Sequence, residues 1–234
     1  MKGILFNHLK LDGHKQMALD QYLLDQSLIT ANSSIKVRFY SWEGNWVSIG
    51  KNQKMIPSKW KNLLEEKKIN IVRRPTGGDA VLHSNGLTYS LIWEEAPPKR
   101  KTAYLQASQW LIQGFKDMGL PLKFGQQKPI KGSTNCFTTA TSADLVDLNG
   151  CKRIGSAQLW KKGNLLQHGE ILINPSKDLW EDLFSTDPPK DFPLDLSSKE
   201  IEKFLIKSLF SSWPEINWDK CLLAKNELEK LFKP

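Results

Sequence analysis

The sequence predicts an α+β domain, and three observations carry that expectation. Apolar residues recur at helical spacing in two long stretches, Gly13 to Ala31 and Thr102 to Gly119. Short runs rich in β-branched and aromatic residues, such as Ile35 to Trp42 and Leu165 to Ile173, alternate with them along the chain. Asn149-Gly150 stands between two further runs of that kind, and this dipeptide is the strongest short hairpin signal in the chain.

The first helix presents Met17, Leu24 and Leu28 on one face, with Tyr22 and Leu23 beside them. Ile35 to Trp42 alternates, with Val37 and Phe39 on one face, and Trp46 to Gly50 is expected as its hairpin partner across Glu43-Gly44-Asn45. Pro57-Ser58 signals a short helix over Ser58 to Lys67. A strand from Ile69 to Val72 then enters the stretch Arg73-Arg74-Pro75-Thr76-Gly77-Gly78, and a long strand from Ala80 to Trp93 leaves it. Pro97-Pro98 with Lys99-Arg100-Lys101 breaks the pattern before the second long helix, which Gly119 closes. A short strand over Leu122 to Phe124 precedes residues 125–135, an aperiodic loop of functional length. Ala143 to Leu148, Cys151 to Gln158 and Leu165 to Ile173 read as a three-stranded meander. Ser185 to Leu194 carries three prolines and reads as a linker to two short helices, near Ser197–Phe210 and Trp218–Phe232. The expected organisation is a catalytic domain over residues 1–184, with the linker and short helices of residues 185–234 packed on it.

With 234 residues, 40% hydrophobic and 25% charged, the chain can bury a full core as an ordinary globular protein. No apolar run reaches membrane-spanning length, and the first residues are too weakly apolar for a signal peptide. Three cysteines without CxxC spacing argue against a disulfide framework or a zinc site, which points to the reducing cytoplasm. The net charge of +8 suits an acidic partner, whether nucleic acid or an acidic protein domain, and suits equally a basic solubility surface. The tryptophans are scattered rather than paired with basic residues, which favours core packing over a base-stacking platform. Walker, GxSxG and HExxH patterns are missing.

The Arg73 stretch is the first candidate site. Gly77-Gly78 can take up positive φ and let a ligand approach closely, Pro75 stiffens the entry, and two guanidinium forks stand beside them. Cys136 follows the long loop, and Lys152 opens a hairpin strand that continues into the small residues Gly155-Ser156-Ala157. An ammonium beside a thiol lowers its pKa and supplies the attacking thiolate, so folding the hairpin back on the loop would activate Cys136. The residues alone leave open that Cys136 is a buried small hydrophobe and Lys152 a solvated lysine. His83 and His168 fit either a general base or a hydrogen-bonded structural histidine.

Taken in order, these segments resemble the lipoate/octanoate/biotin protein-ligase family. The resemblance runs from about Leu11 to Phe184. It is carried by Leu11-Asp12-Gly13, Met17-Ala18-Leu19-Asp20, Arg38-Phe39-Tyr40-Ser41-Trp42, Arg73 to Gly78 and Ala80-Val81-Leu82-His83. Leu87-Thr88-Tyr89-Ser90, Lys152 with Gly155-Ser156-Ala157-Gln158, and Leu166-Gln167-His168-Gly169 complete the set. The resemblance implies an α+β catalytic domain like those of class II aminoacyl-tRNA and biotin synthetases, with a mixed sheet and packed helices.

It also implies acyl transfer to a lysine of a lipoyl domain, in a 2-oxoacid dehydrogenase complex or the glycine cleavage H protein. Biotin ligases carry a GRGRxxR-type loop that is missing here, and Thr134-Asn135-Cys136-Phe137 stands where ATP-dependent lipoate ligases have Gly-Arg-Asn-Asp. The Cys-Phe pair is similar to that of the cysteine-dependent octanoyltransferase branch, which draws octanoate from acyl carrier protein and needs neither ATP nor another cofactor. On that reading Cys136 is the nucleophile and Lys152 its activator. Arg73, Arg74, Thr76, Gly77, Gly78, His83, Gly155, Ser156, Ala157 and His168 surround the acyl chain, and neither a metal, a membrane nor nucleic acid takes part. The alternatives are an ATP-dependent lipoate ligase and a non-catalytic homologue that binds acyl chains or carrier proteins. Asp79 departs from the family, which usually has Gly or Arg there.

Overall fold

The computed structural model describes residues 1–29, 33–126 and 140–223, together with Leu228 and Phe232. The chain opens with two strands, Lys2–Phe6 (β1) and Leu9–Leu11 (β2), and a helix, Gly13–Gln26 (α1). Asp12 caps that helix by accepting the Lys15 N–H at 3.0 Å, which satisfies one of the donors a helix start leaves unpaired. Both strands pair in parallel with successive halves of Ser34–Trp42 (β3).

After β3 the chain builds a second, smaller sheet. Trp46–Ile49 (β4) is its central strand, Lys59–Glu65 (α2) crosses over, and Asn70–Arg73 (β5) returns parallel to β4. Val81–His83 (β6) pairs antiparallel on the other side of β4. The expected hairpin of 35–50 is therefore corrected: β3 and β4 are consecutive but belong to different sheets. The expected strand over 80–93 is likewise two strands, because Asn85, at φ 58°, turns the chain out of β6. It re-enters the large sheet as Leu87–Trp93 (β7).

Arg100–Asp117 (α3) follows, then Lys123–Phe124 (β8). Leu145–Val146 (β9), Lys152–Lys161 (β10) and Asn164–Ile171 (β11) form the meander expected around Asn149-Gly150, with Gly150 at φ 81° in the turn. Three elements complete the described chain: Lys177–Phe184 (α4), Ser198–Ser212 (α5) and Asn217–Cys221 (β12). Of these elements α4, β1 and β2 were not expected from the sequence. The helix expected from Trp218 is corrected to β12, which pairs in parallel with β1.

The large sheet runs β12-β1-β3-β7-β11-β10-β9-β8, a mixed sheet. Trp110, Leu111 and Phe115 of α3 and Leu205 and Leu209 of α5 cover one face. Leu19, Leu23 and Leu24 of α1 cover the other, against Ile92 and Leu166. Burial on both faces leaves every residue of β7 buried, the small polar Thr88 and Ser90 enclosed along with the apolar residues. The small sheet packs Val47, Ile69 and Leu82 against Trp60 of α2 and Leu183 and Phe184 of α4. Residues 185–223 share the large core through Phe192, Ile201 and Ile216. Among the described residues no helix is long and apolar enough to cross a membrane.

Candidate active site

Where the two sheets meet, beneath the loop 74–79, lies a cavity of about 320 Å³ whose walls are mostly apolar. The loop is built from the inside. The Arg74 guanidinium is buried and donates to the carbonyls of Ser48, Gly77 and Asp79 at 2.6–2.7 Å, so it shapes its own loop. Gly78 sits at φ 91°, and a Cβ on the facing Gly50 would stand 1.8 Å from its carbonyl oxygen. A Cβ on Gly77 would meet nothing within 4 Å. Close approach thus calls for Gly50 and the left-handed backbone for Gly78, while Gly77 has free space beside it.

Arg73 is placed differently from its neighbour. It is exposed, does not line the cavity, and donates to the carbonyls of Gly50, Lys51 and Gln53, stitching the 50–53 turn to the loop. Thr76 is buried behind the wall and bonds His168 Nε2 at 2.7 Å. His83, Gly155, Ser156, Ala157 and His168 line the cavity with Arg74, Gly77 and Gly78.

Two buried histidine networks hold the wall. His83 Nδ1 faces Glu170 at 2.8 Å and Nε2 faces the Ser48 hydroxyl at 2.8 Å. Its ring stacks on Trp42 with centroids 3.9 Å apart. Trp42 Nε1 donates to Thr88 Oγ1 at 2.7 Å, and Thr88 donates on to Glu170, which closes the circuit. Burial holds the His83 imidazole below its usual range in spite of Glu170, so the ring is neutral, and its Nδ1–H donates a hydrogen bond to the carboxylate. His168 Nδ1 meets Asp20 at 2.9 Å; Asp20 also receives Arg38 at 2.9 Å and the Tyr40 hydroxyl at 3.1 Å. Burial would raise the Asp20 carboxyl, but the Arg38 charge and the hydrogen bond to His168 outweigh it and bring it down to about 2. Both histidines are therefore fixed by carboxylates the sequence reading did not pick out.

Lys152 begins β10 and is buried, its Nζ 3.0 Å from Asp144 Oδ1. Asp144 is held in turn by the Thr141 N–H and hydroxyl at 2.7 and 2.9 Å, and Thr141, Ala143 and Asp144 line the cavity. Cys136 lies outside the described residues, so its distance to Lys152 is not part of this geometry. Cys151 and Cys221 are half-buried thiols. Asp79, half-buried, also lines the cavity, and burial raises its carboxyl although Arg74 and Lys152 pull it down.

A family profile described as the lipoyl protein ligase A/B catalytic domain matches residues 12–205. Among curated proteins, an octanoyltransferase LipM of Halalkalibacterium halodurans is 36% identical over 184 residues, 72% of this chain and 65% of that protein. The LipM octanoyltransferase of Bacillus cereus is 36% identical over 205 residues, covering 81% and 69%. The chain spans about 65% of the length of the first curated relatives it matches. Among solved structures, a lipoate-protein ligase A bound with ATP superposes with a TM-score of 0.81 at 18% identity, over 99% of this chain and 92% of that one. A bi-partite lipoate protein ligase of Thermoplasma acidophilum, described with its E2 lipoyl domain, gives 0.77 at 17% identity, over 99% and 90%. At such identities the likeness is one of fold.

Proposed function

The chain belongs to the lipoyl protein ligase A/B catalytic-domain family, and from that premise we propose that it transfers an octanoyl group from a carrier-bound thioester to a lysine of a lipoyl domain. The observation that carries the proposal is the apolar cavity with Asp144, ion-paired to the buried Lys152, at its wall. Its lining draws on the same segments that carry the family resemblance, and the curated relatives matched are octanoyltransferases. The thiolate of Cys136 attacks the thioester carbonyl; the new C–S bond forms as the carrier thiolate leaves and takes up a proton. The lysine amine of the acceptor then attacks the acyl-enzyme, forming the amide and returning the thiol. Passing from thioester to amide runs downhill, so the reaction needs no ATP.

Reach supports the assignment of the nucleophile. Cys136 stands five residues before Thr141, at most about 18 Å of extended chain from where that cavity-lining segment begins. The Lys152 ammonium, held 3.0 Å from Asp144, stabilises a nearby thiolate. The donor is an acyl carrier protein, whose acidic character suits the basic chain. The acceptor is the lipoyl domain of a 2-oxoacid dehydrogenase complex or the glycine cleavage H protein, and the compartment is the cytoplasm. Intact-mass measurement after incubation with octanoyl carrier protein tests the nucleophile. Wild-type protein gains one octanoyl group and Cys136→Ser gains none; an acylated Cys136→Ser variant would overturn the assignment.

A further inference from the structure

Among the described residues three carboxylates line the cavity: Asp79, Asp144 and Glu170. Two cations stand against them among the described residues. Lys152 is paired with Asp144 at 3.0 Å, and the Arg74 guanidinium lies in the wall, anchored by backbone carbonyls. His83 is neutral, and the charge of Asp20 behind His168 is met by Arg38. Without the Asp79 side chain, two cations would balance two anions. Asp79 leaves the described wall with one net negative charge.

The three carboxylates are not equivalent. Asp144 is fixed by Lys152 and Thr141, and Glu170 by His83 and Thr88. Both therefore spend their charge on donors in the wall. Asp79 is half-buried at the end of the glycine loop and lines the cavity. It is close enough to Arg74 and Lys152 for their charges to act on it, which puts it toward the end of the cavity where the proposed reaction takes place. Its backbone carbonyl, not its side chain, is what Arg74 grips at 2.6 Å, so the carboxylate can be changed while the loop keeps its anchor.

We propose that Asp79 sets the charge selectivity of the cavity: it admits a medium acyl chain whose head group is uncharged and repels the same chain ending in a carboxylate. The inference deepens the function proposed above and rests on it only for the nature of the chain. Two like charges about 6 Å apart at an effective dielectric near 20, discounted for partial exposure, change affinity by roughly tenfold.

Calorimetric titration with octanamide and octanoate, a near-isosteric pair differing in charge, tests the proposal. Wild-type protein binds octanamide roughly tenfold more tightly. Asp79→Asn closes most of that gap by strengthening octanoate binding, and Asp79→Arg reverses the preference. Equal affinities in the wild type overturn the proposal, as does a ratio unchanged in both variants, or binding of neither ligand. An intact ratio in a protein that transfers no acyl group would leave this inference standing and remove the transfer reaction.

Discussion

Arg38 is the buried charge whose loss should cost the fold most. It lies in the middle of β3 with 1% of its surface exposed. Its guanidinium donates to Asp20 at 2.9 Å and to the side chain and carbonyl of Gln16 at 2.7 and 2.8 Å, and packs 3.9 Å from the centroid of the Tyr40 ring. Arg38→Met keeps the volume but strands Asp20, which is fully buried, with His168 and Tyr40 as its remaining polar partners. Breaking a buried pair from one side costs about 3–5 kcal/mol, a large share of the roughly 5–15 kcal/mol that holds a domain folded. Urea unfolding should show a lower midpoint at unchanged slope, and the melting temperature should fall by about 10 °C. Combining Arg38→Met with Asp20→Asn removes the stranded charge and should restore about 2 kcal/mol. A single variant that loses less than about 1 kcal/mol, or a double variant no better than the single, would refute the reasoning.

The same network sets an acid limit. Asp20 is depressed from 3.8 to about 2 in the folded state, so its contribution is whole above about pH 4 and is lost as pH falls toward 2, on the order of 2 kcal/mol. His83, depressed from 6.5, acts in the same sense: protonation favours the unfolded chain, and stability declines as pH drops below 6.5. Urea midpoints that stay level from pH 7 to 3 would contradict both. Gly50→Ala drives a Cβ into the Gly78 carbonyl and should destabilise by about 1–3 kcal/mol; an unchanged thermal midpoint would show that the loop yields freely. Asp144→Asn loosens Lys152 and should slow acyl-enzyme formation about tenfold to a hundredfold while octanamide still binds; an unaffected rate would deny Asp144 its positioning role.

What the sequence discloses follows from the range of the interactions involved. The meander around Asn149-Gly150 is local, since turn chemistry and strand pattern agree, and it was legible. The Glu43-Gly44-Asn45 turn looks equally local, yet its flanking strands join different sheets, because pairing partners for β3 and β4 come from β7 and from β5 and β6. The edge strand β12 pairs with β1 from the opposite end of the chain, a contact no window of residues contains. Lining residues such as Arg74, Gly77 and His83 were visible through loop chemistry. The carboxylates that hold His168, His83 and Lys152, namely Asp20, Glu170 and Asp144, were not, since buried ion pairs carry no periodic signal. One hint was available: Asp20 lies on the same helical stripe as Met17 and Leu24, and a charge on an apolar stripe implies a buried partner.

The central claim is acyl transfer driven by the thioester. Purified protein is mixed with octanoyl carrier protein and an apo lipoyl domain, with and without ATP, and the mass of the lipoyl domain is followed. The account predicts one octanoyl group on the lipoyl domain at the same rate in both arms. A lipoyl domain modified only when ATP and free octanoate are supplied would contradict it.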